Sequence, residues 1–155
     1  KIFFLGDIVG RTGRIAVIKN LKNILEKKRV DFVIVNGENA ADEGVGITEE
    51  ISHDLFNAGV DVITTGNHVW DQKETINYIE KETRLLRPQN LTTNSPGKGF
   101  GIYESKNGFK VGVLNVLLYA NILLFGIKIL RFLKCLCPID PRPINKKFID
   151  YRITK

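Results

Sequence analysis

Apolar residues fall along this chain in two rhythms. Four short continuous runs, KIFFL (1–5), VDFVIV (30–35), VDVIT (60–64) and FKVGVLNV (109–116), have the length and unbroken character of strands buried on both faces. Between the first two, Ile15, Ile18, Leu21 and Leu25 recur at helical spacing while Lys19, Lys22, Lys27 and Lys28 take other faces; this predicts an amphipathic helix of about four turns. After the second run Thr48 stands where an N-cap is wanted, Ile51, Leu55 and Ala58 share one stripe, and Gly59 follows as a left-handed terminator. The outcome is a βαβαβ chain and an α/β fold with a parallel sheet. A third helix is expected from about Gln72 to Glu80, and GIYESKNGFKVGVLNV (101–116) reads as an antiparallel hairpin turned at Asn107-Gly108.

From Leu117 the texture changes to Leu/Ile-rich and then Lys-rich sequence, so we place a boundary near 116: an α/β domain over 1–116 and a divergent apolar and basic tail over 117–155. The stretch from Val111 to Ile127 is interrupted by Asn115 and Asn121 and falls short of the ~20 apolar residues of a spanning helix. A strand followed by an amphipathic helix is the expectation there, and membrane contact by the tail is the lesser reading.

Charge follows the same division. Residues 1–100 carry 13 basic against 14 acidic side chains, and residues 101–155 carry 10 against 3. The basicity belongs to the tail and comes without the basic-aromatic pattern of a nucleic-acid binder, so no sequence-specific nucleic acid is expected. The only cysteines, Cys135 and Cys137, form one C-x-C pair, which supports neither a disulfide framework nor a zinc ribbon. With no apolar opening long enough for a secretory signal, a reducing, cytoplasmic setting is expected. The absence of methionine suggests a trimmed start.

Candidate chemistry sits where the first three strands run out. FFLGD places Asp7 after a glycine, VIVNGEN places Glu38 and Asn39 after a glycine, and ITTGNH places Asn67 and His68 after a glycine. In an open parallel sheet all carboxyl ends lie on one edge, where ligands bind, so these five residues should converge. Two carboxylates, two amides and an imidazole suit manganese or iron; without a cation the two acids would repel. Any one of these residues alone is ordinary turn chemistry, but the repetition at three successive strand ends is not. His53 lies off the Ile51/Leu55 stripe and reads as a surface helix residue. GDIVGRTGR lacks the spacing of a P-loop or a dinucleotide fingerprint, yet Arg11 or Arg14 at a helix start reads either as a holder of a substrate phosphate or, equally, as a solvated surface residue. Trp70 is expected to pack under its loop.

GDIVGRTGR, NGENAADEGVGIT, TGNHVWDQKE and RPQN…PGKG together resemble the calcineurin-like metallophosphoesterases, most closely the YmdB-like group linked to 2′,3′-cyclic nucleotide phosphodiesterase activity, over about residues 1–116. The resemblance implies a β-sandwich flanked by helices, of which this chain carries the N-terminal half, and a two-metal iron or manganese site. It implies that Asp7, Glu38 and Asn39 serve one metal and that Glu38 and Asn67 serve the other, with Glu38 bridging. His68 would meet the phosphate or protonate the leaving oxygen, and the substrate would be a phosphodiester or cyclic nucleotide, opened to a 3′-phosphate. Family members are longer and supply further metal-binding histidines, whereas no histidine follows His68 here. The expectation is a metal-dependent phosphodiesterase by ancestry, truncated and of doubtful activity, in which Asp7, Glu38, Asn39 and Asn67 hold a metal at most weakly. The alternative is a non-catalytic metal- or nucleotide-binding module, and a third reading is a metal-free nucleotide-binding domain.

Overall fold

A computed structural model describes residues 1–117, which form one compact unit. The expectations for the tail and for Cys135 and Cys137 lie outside the described residues. The elements run β1 (Ile2–Asp7), α1 (Gly10–Lys28), β2 (Phe32–Asn36), α2 (Glu49–Asn57), β3 (Val62–Thr64), a 3-10 turn (Asn67–Trp70), α3 (Thr75–Tyr78), β4 (Leu85–Leu86), β5 (Phe100–Glu104) and β6 (Lys110–Leu114). Strands β1 to β4 form one parallel sheet in that order, and β5 and β6 form a separate antiparallel pair. None of the described helices is long and apolar enough to cross a membrane.

Two apolar layers hold the sheet, and the alternation along each strand assigns residues to them. Val33 and Val35 of β2, Ile63 of β3 and Leu85 of β4 join Leu21, Leu25, Ile51 and Leu55 of the helices in the larger core. Their neighbours Phe32, Val62 and Leu86 face the other way, against Val113, Val111 and Tyr103 of the antiparallel pair. Strands β2, β3 and β4 are thus apolar on both faces because both faces are covered, whereas β1 packs Phe3 and Leu5 on the helix side and leaves Ile2 and Phe4 exposed. This is the mixed α/β arrangement read from the apolar runs, with the hairpin stacked on the sheet face that the helices leave open.

Local signals explain the element ends. Thr48 accepts a hydrogen bond from the Ile51 amide at 3.2 Å and so caps α2. Helix α2 closes through Gly59 at φ +108°, with Gly59 N–H on Phe56 O and Val60 N–H on Leu55 O. Helix α1 closes through the same pair of bonds, but the left-handed position is occupied by Arg29 at φ +52°.

Three features differ from the pattern-based reading. A fourth parallel strand, Leu85–Leu86, pairs with β3; two residues carry no periodicity. The third helix spans only Thr75–Tyr78, because the Gln72 side chain turns back to Val45 O at 3.0 Å and the Thr75 hydroxyl bonds Ile47 O, tying this stretch to the preceding loop. The hairpin is antiparallel and turns at Asn107-Gly108 as expected, with Phe100 opposite Leu114 and Gly108 at φ +81°, but the loop is longer than a two-residue turn, closed by Ser105 N–H on Phe109 O at 2.8 Å.

Candidate active site at the strand ends

Asp7 is the last residue of β1 and pairs with Asn36, the last residue of β2, after a register shift between Leu5 and Asp7. The amide of Gly37 reaches Thr64 O at 2.9 Å, so the ends of β2 and β3 are locked side by side. The next loop is pinned on both flanks. Gly10 N–H donates to Asn39 O at 2.8 Å from the start of α1, and Gly46 N–H donates to Glu38 O at 2.6 Å from the loop's own far end. Backbone bonds alone therefore hold Glu38 and Asn39 between the neighbouring strand ends.

The side chains then meet across strands. Asn39 Nδ2 donates to Asp7 Oδ2 at 2.9 Å, joining the ends of β1 and β2. Glu38 lays its carboxylate on Gly66, the residue before Asn67, so closely that a Cβ at Gly66 would collide with Oε2 and Cδ. The missing Cβ at Gly66 is what lets the acid approach this closely. The edge joins Asp7 to Asn39 and Glu38 to the peptide that leads into Asn67 and His68.

The 3-10 turn carries His68 outward from a fixed base. Val69 is fully buried and Trp70 packs against the helix-side core, as expected for a ring under the loop. Residues three apart eclipse in a 3-10 turn, which sets His68 Nδ1 2.6 Å from Asp71 Oδ2. Asp71 followed His68 in the motif, and its i, i+3 spacing was the signal that could have identified it as the histidine's partner. Just before the turn, Asn115 Nδ2 donates to Thr65 O at 2.8 Å and to Leu86 O at 3.0 Å, fastening the end of β6 to the ends of β3 and β4.

The arginines after β1 have other work. Arg14 donates to Ala40 O at 2.6 Å and to Asp42 Oδ1 at 2.7 Å, so its guanidinium braces α1 against the loop that carries Asn39. Arg11 is exposed and lines a cleft of about 410 Å³ with Asp42, Glu43, Glu50 and Asp54. Those carboxylates outnumber the guanidinium groups, and the cleft disfavours a phosphate. His53 is 53 % exposed on α2, 3.6 Å from Glu49 Oε1, away from this edge.

The donors on the edge match a hard divalent cation in kind: carboxylate and amide oxygens, with an imidazole on the adjoining turn. The Asn39 amide, by donating to Asp7, fixes that carboxylate on the edge and keeps its own oxygen free to accept or ligate. They are fewer than a closed cage needs, since among the described residues no three His, Cys, Asp or Glu side chains gather closely enough to hold a metal.

Comparison with known proteins agrees with this layout. A family model described as YmdB-like protein matches residues 3–122. A 2′,3′-cyclic-nucleotide 2′-phosphodiesterase of Bacillus subtilis is 43% identical over 116 residues, which are 75% of this chain and 43% of that protein. A crystal structure of a phosphatase from Mycoplasma pneumoniae superposes with a TM-score of 0.72 at 35% identity, covering 85% of this chain and 49% of that one. A hypothetical protein from Thermus thermophilus superposes with a TM-score of 0.68 at 39% identity, covering 74% and 44%. The chain spans less than half the length of each of these relatives.

Proposed function

This chain belongs to the YmdB-like family, and on that premise we propose that its strand-end edge is the N-terminal share of a metal-dependent phosphodiesterase site acting on a cyclic nucleotide or related phosphodiester. In this reading Asp7, Glu38, Asn39 and Asn67 hold a divalent cation of the manganese or iron type, and His68 is the proton donor. The observation that carries it is the Glu38 carboxylate seated on Gly66 beside Asn67, with Asn39 reaching Asp7 on the other side. In this reading the three strand ends contribute two acids and two amides to one edge.

A cation bound there supplies positive charge to a phosphoryl oxygen. The chain's own residues supply orientation and the proton. Asp71 accepts from His68 Nδ1, which fixes the ring and leaves Nε2 as the atom that faces substrate. With Nε2 protonated, His68 gives its proton to the departing 2′ oxygen as the P–O2′ bond breaks. Water supplies the oxygen that ends on phosphorus and loses its proton to solvent, leaving a 3′-phosphate. Asp71 balances the imidazolium that precedes transfer, a role open to a carboxylate and closed to an amide.

The test is hydrolysis of bis-p-nitrophenyl phosphate and of a 2′,3′-cyclic nucleotide with manganese, comparing the chain with His68→Ala. The reading expects metal-dependent turnover that falls about 100-fold or more in the variant, the usual size of a lost general acid. Equal turnover in both would overturn it. Cation binding without turnover selects the alternative, a non-catalytic metal- or nucleotide-binding module.

A further inference from the structure

The edge where the parallel strands begin, opposite the one that carries Asp7, Glu38 and Asn67, holds a second feature. The closing turns of α1 and α2 and the hairpin loop border a cleft of about 470 Å³ there. Leu25 and Val30 line it and are buried, while Lys22, Arg29 and Lys106 line it and are exposed, against one carboxylate, Glu26. Lys106 N–H donates to Asp31 O at 3.1 Å, which sets the hairpin loop beside the start of β2. Among the described residues none of the three cations enters an ion pair. Asp61 is close enough to feel the charge of Lys106, but its carboxylate accepts from Val33 N–H at 2.7 Å.

Arg29 separates this cleft from an ordinary basic surface. Among the described residues it alone has a positive φ, +52°, without being glycine. Gly59 fills the matching position at the end of α2 and lines the same cleft. A side chain is disfavoured in that conformation, so an exposed arginine held there points to work for its guanidinium. The charge of the helix end does not supply that work, because Lys27 and Lys28 already stand in the last turn of α1. Residues 118–155, with 8 basic against 2 acidic side chains, hold no surplus of carboxylates to answer it. We propose that the cleft binds a small phosphate monoester, its phosphate between Arg29, Lys22 and Lys106 and its apolar body on Leu25 and Val30. Three cations beside Glu26 leave a surplus of two positive charges, which matches a monoester phosphate, close to a dianion at neutral pH. A guanidinium grips phosphate oxygens in pairs, and the volume lies within the range of about 300–1,000 Å³ common to small-ligand sites. The inference goes beyond the proposed reaction and rests on neither its cation nor its proton donor.

The test titrates the 155-residue chain with phenyl phosphate and with inorganic phosphate in the presence of EDTA, following backbone amide shifts by NMR. The expectation is saturable binding that moves the amides of Arg29, Val30, Gly59 and Lys106, with phenyl phosphate about tenfold the tighter because its ring covers the apolar lining. Arg29→Gly should weaken binding about tenfold or more, the size of a lost charge-assisted hydrogen bond. Glycine suits the left-handed position, so this variant keeps its fold and the loss reads the guanidinium alone. Lys106→Gln should weaken binding from the other side of the cleft, and Glu38→Gln, on the opposite edge, should leave it unchanged. No saturable binding, or affinity undiminished in Arg29→Gly, overturns the inference. Shifts confined to Asp7, Glu38 and Asn67 overturn it as well, because the anion then sits in the candidate active site. Inorganic phosphate bound as tightly as phenyl phosphate overturns the assignment to a monoester. None of these readings depends on phosphodiesterase turnover, so the proposed reaction stands or falls separately.

Discussion

His68 Nδ1 lies 2.6 Å from Asp71 Oδ2 across a single 3-10 turn. Both side chains are partly open to solvent, at 35 % and 42 %, so the pair is set by the geometry of the turn rather than by burial. A carboxylate can only accept, which places the ring proton on Nδ1 and leaves Nε2 free when the ring is neutral. Asp71→Asn removes that constraint. The ¹⁵N shifts of the neutral His68 ring should report the Nδ1–H form in the parent chain and a mixture in the variant; an unchanged tautomer would remove Asp71 from the account.

Gly66 is the point where the second and third strand ends touch. A Cβ at Gly66 would meet the Glu38 carboxylate, the far end of a flexible side chain, so Gly66→Ala acts through the carboxylate it displaces. We expect the variant to fold and to bind manganese about tenfold or more weakly by calorimetric titration. Undiminished affinity would show that Glu38 does not hold the ion.

Arg29 and Gly59 occupy the same left-handed position at the ends of α1 and α2, with matching backbone bonds from the following valine, Val30 to Leu25 O and Val60 to Leu55 O. A side chain at that position costs about 1 kcal/mol relative to glycine. Arg29→Gly should therefore raise the unfolding free energy by about 1 kcal/mol in urea denaturation, unlike the loss that glycine causes in a helix interior.

Burial raises the pKa of Tyr78 to about 12, with Glu82 and Glu49 adding to it, and burial does the same for Tyr103, with Glu82 contributing. A group that holds its proton more tightly in the folded state stabilises fully below its unfolded pKa and loses that contribution as pH rises through the folded value. The urea midpoint should accordingly stay level, as far as these groups are concerned, up to about pH 10 and decline toward pH 12. Absorbance titration of the folded chain should show Tyr78 and Tyr103 ionising near 12; a titration in which every tyrosine ionises near 10 would contradict the burial described for them.

Much of this architecture is legible in the pattern of residues because the deciding forces are local or periodic. The strands at Phe32 and Val62 read as unbroken apolar runs because both sheet faces are covered there, and the Thr48 cap and Gly59 terminator sit at the ends of α2. The repeated glycine before Asp7, Glu38 and Asn67 pointed to one edge, and the Asn39–Asp7 bond and the Glu38–Gly66 approach lie on it. What escaped was set by contacts far apart in the chain. Arg14 looked like an anion ligand because its partners, Ala40 O and Asp42, become neighbours only when α1 folds back over the loop. Leu85–Leu86 is too short to show a period, and its place as β4 depends on pairing with Ile63 and Thr64. Asn115 reads as the tail of an apolar run, yet its amide joins three strand ends.

The central claim is that the ends of β1, β2 and β3 together make one cation site. It is tested most directly by manganese binding, read by electron paramagnetic resonance, in the parent chain and in Asp7→Asn, Glu38→Gln and Asp42→Asn. The account predicts that the first two variants each weaken binding about tenfold or more, while Asp42→Asn, which changes an acid in the neighbouring cleft, leaves it unchanged. Manganese bound equally well by all four proteins, or lost only with Asp42, would contradict it.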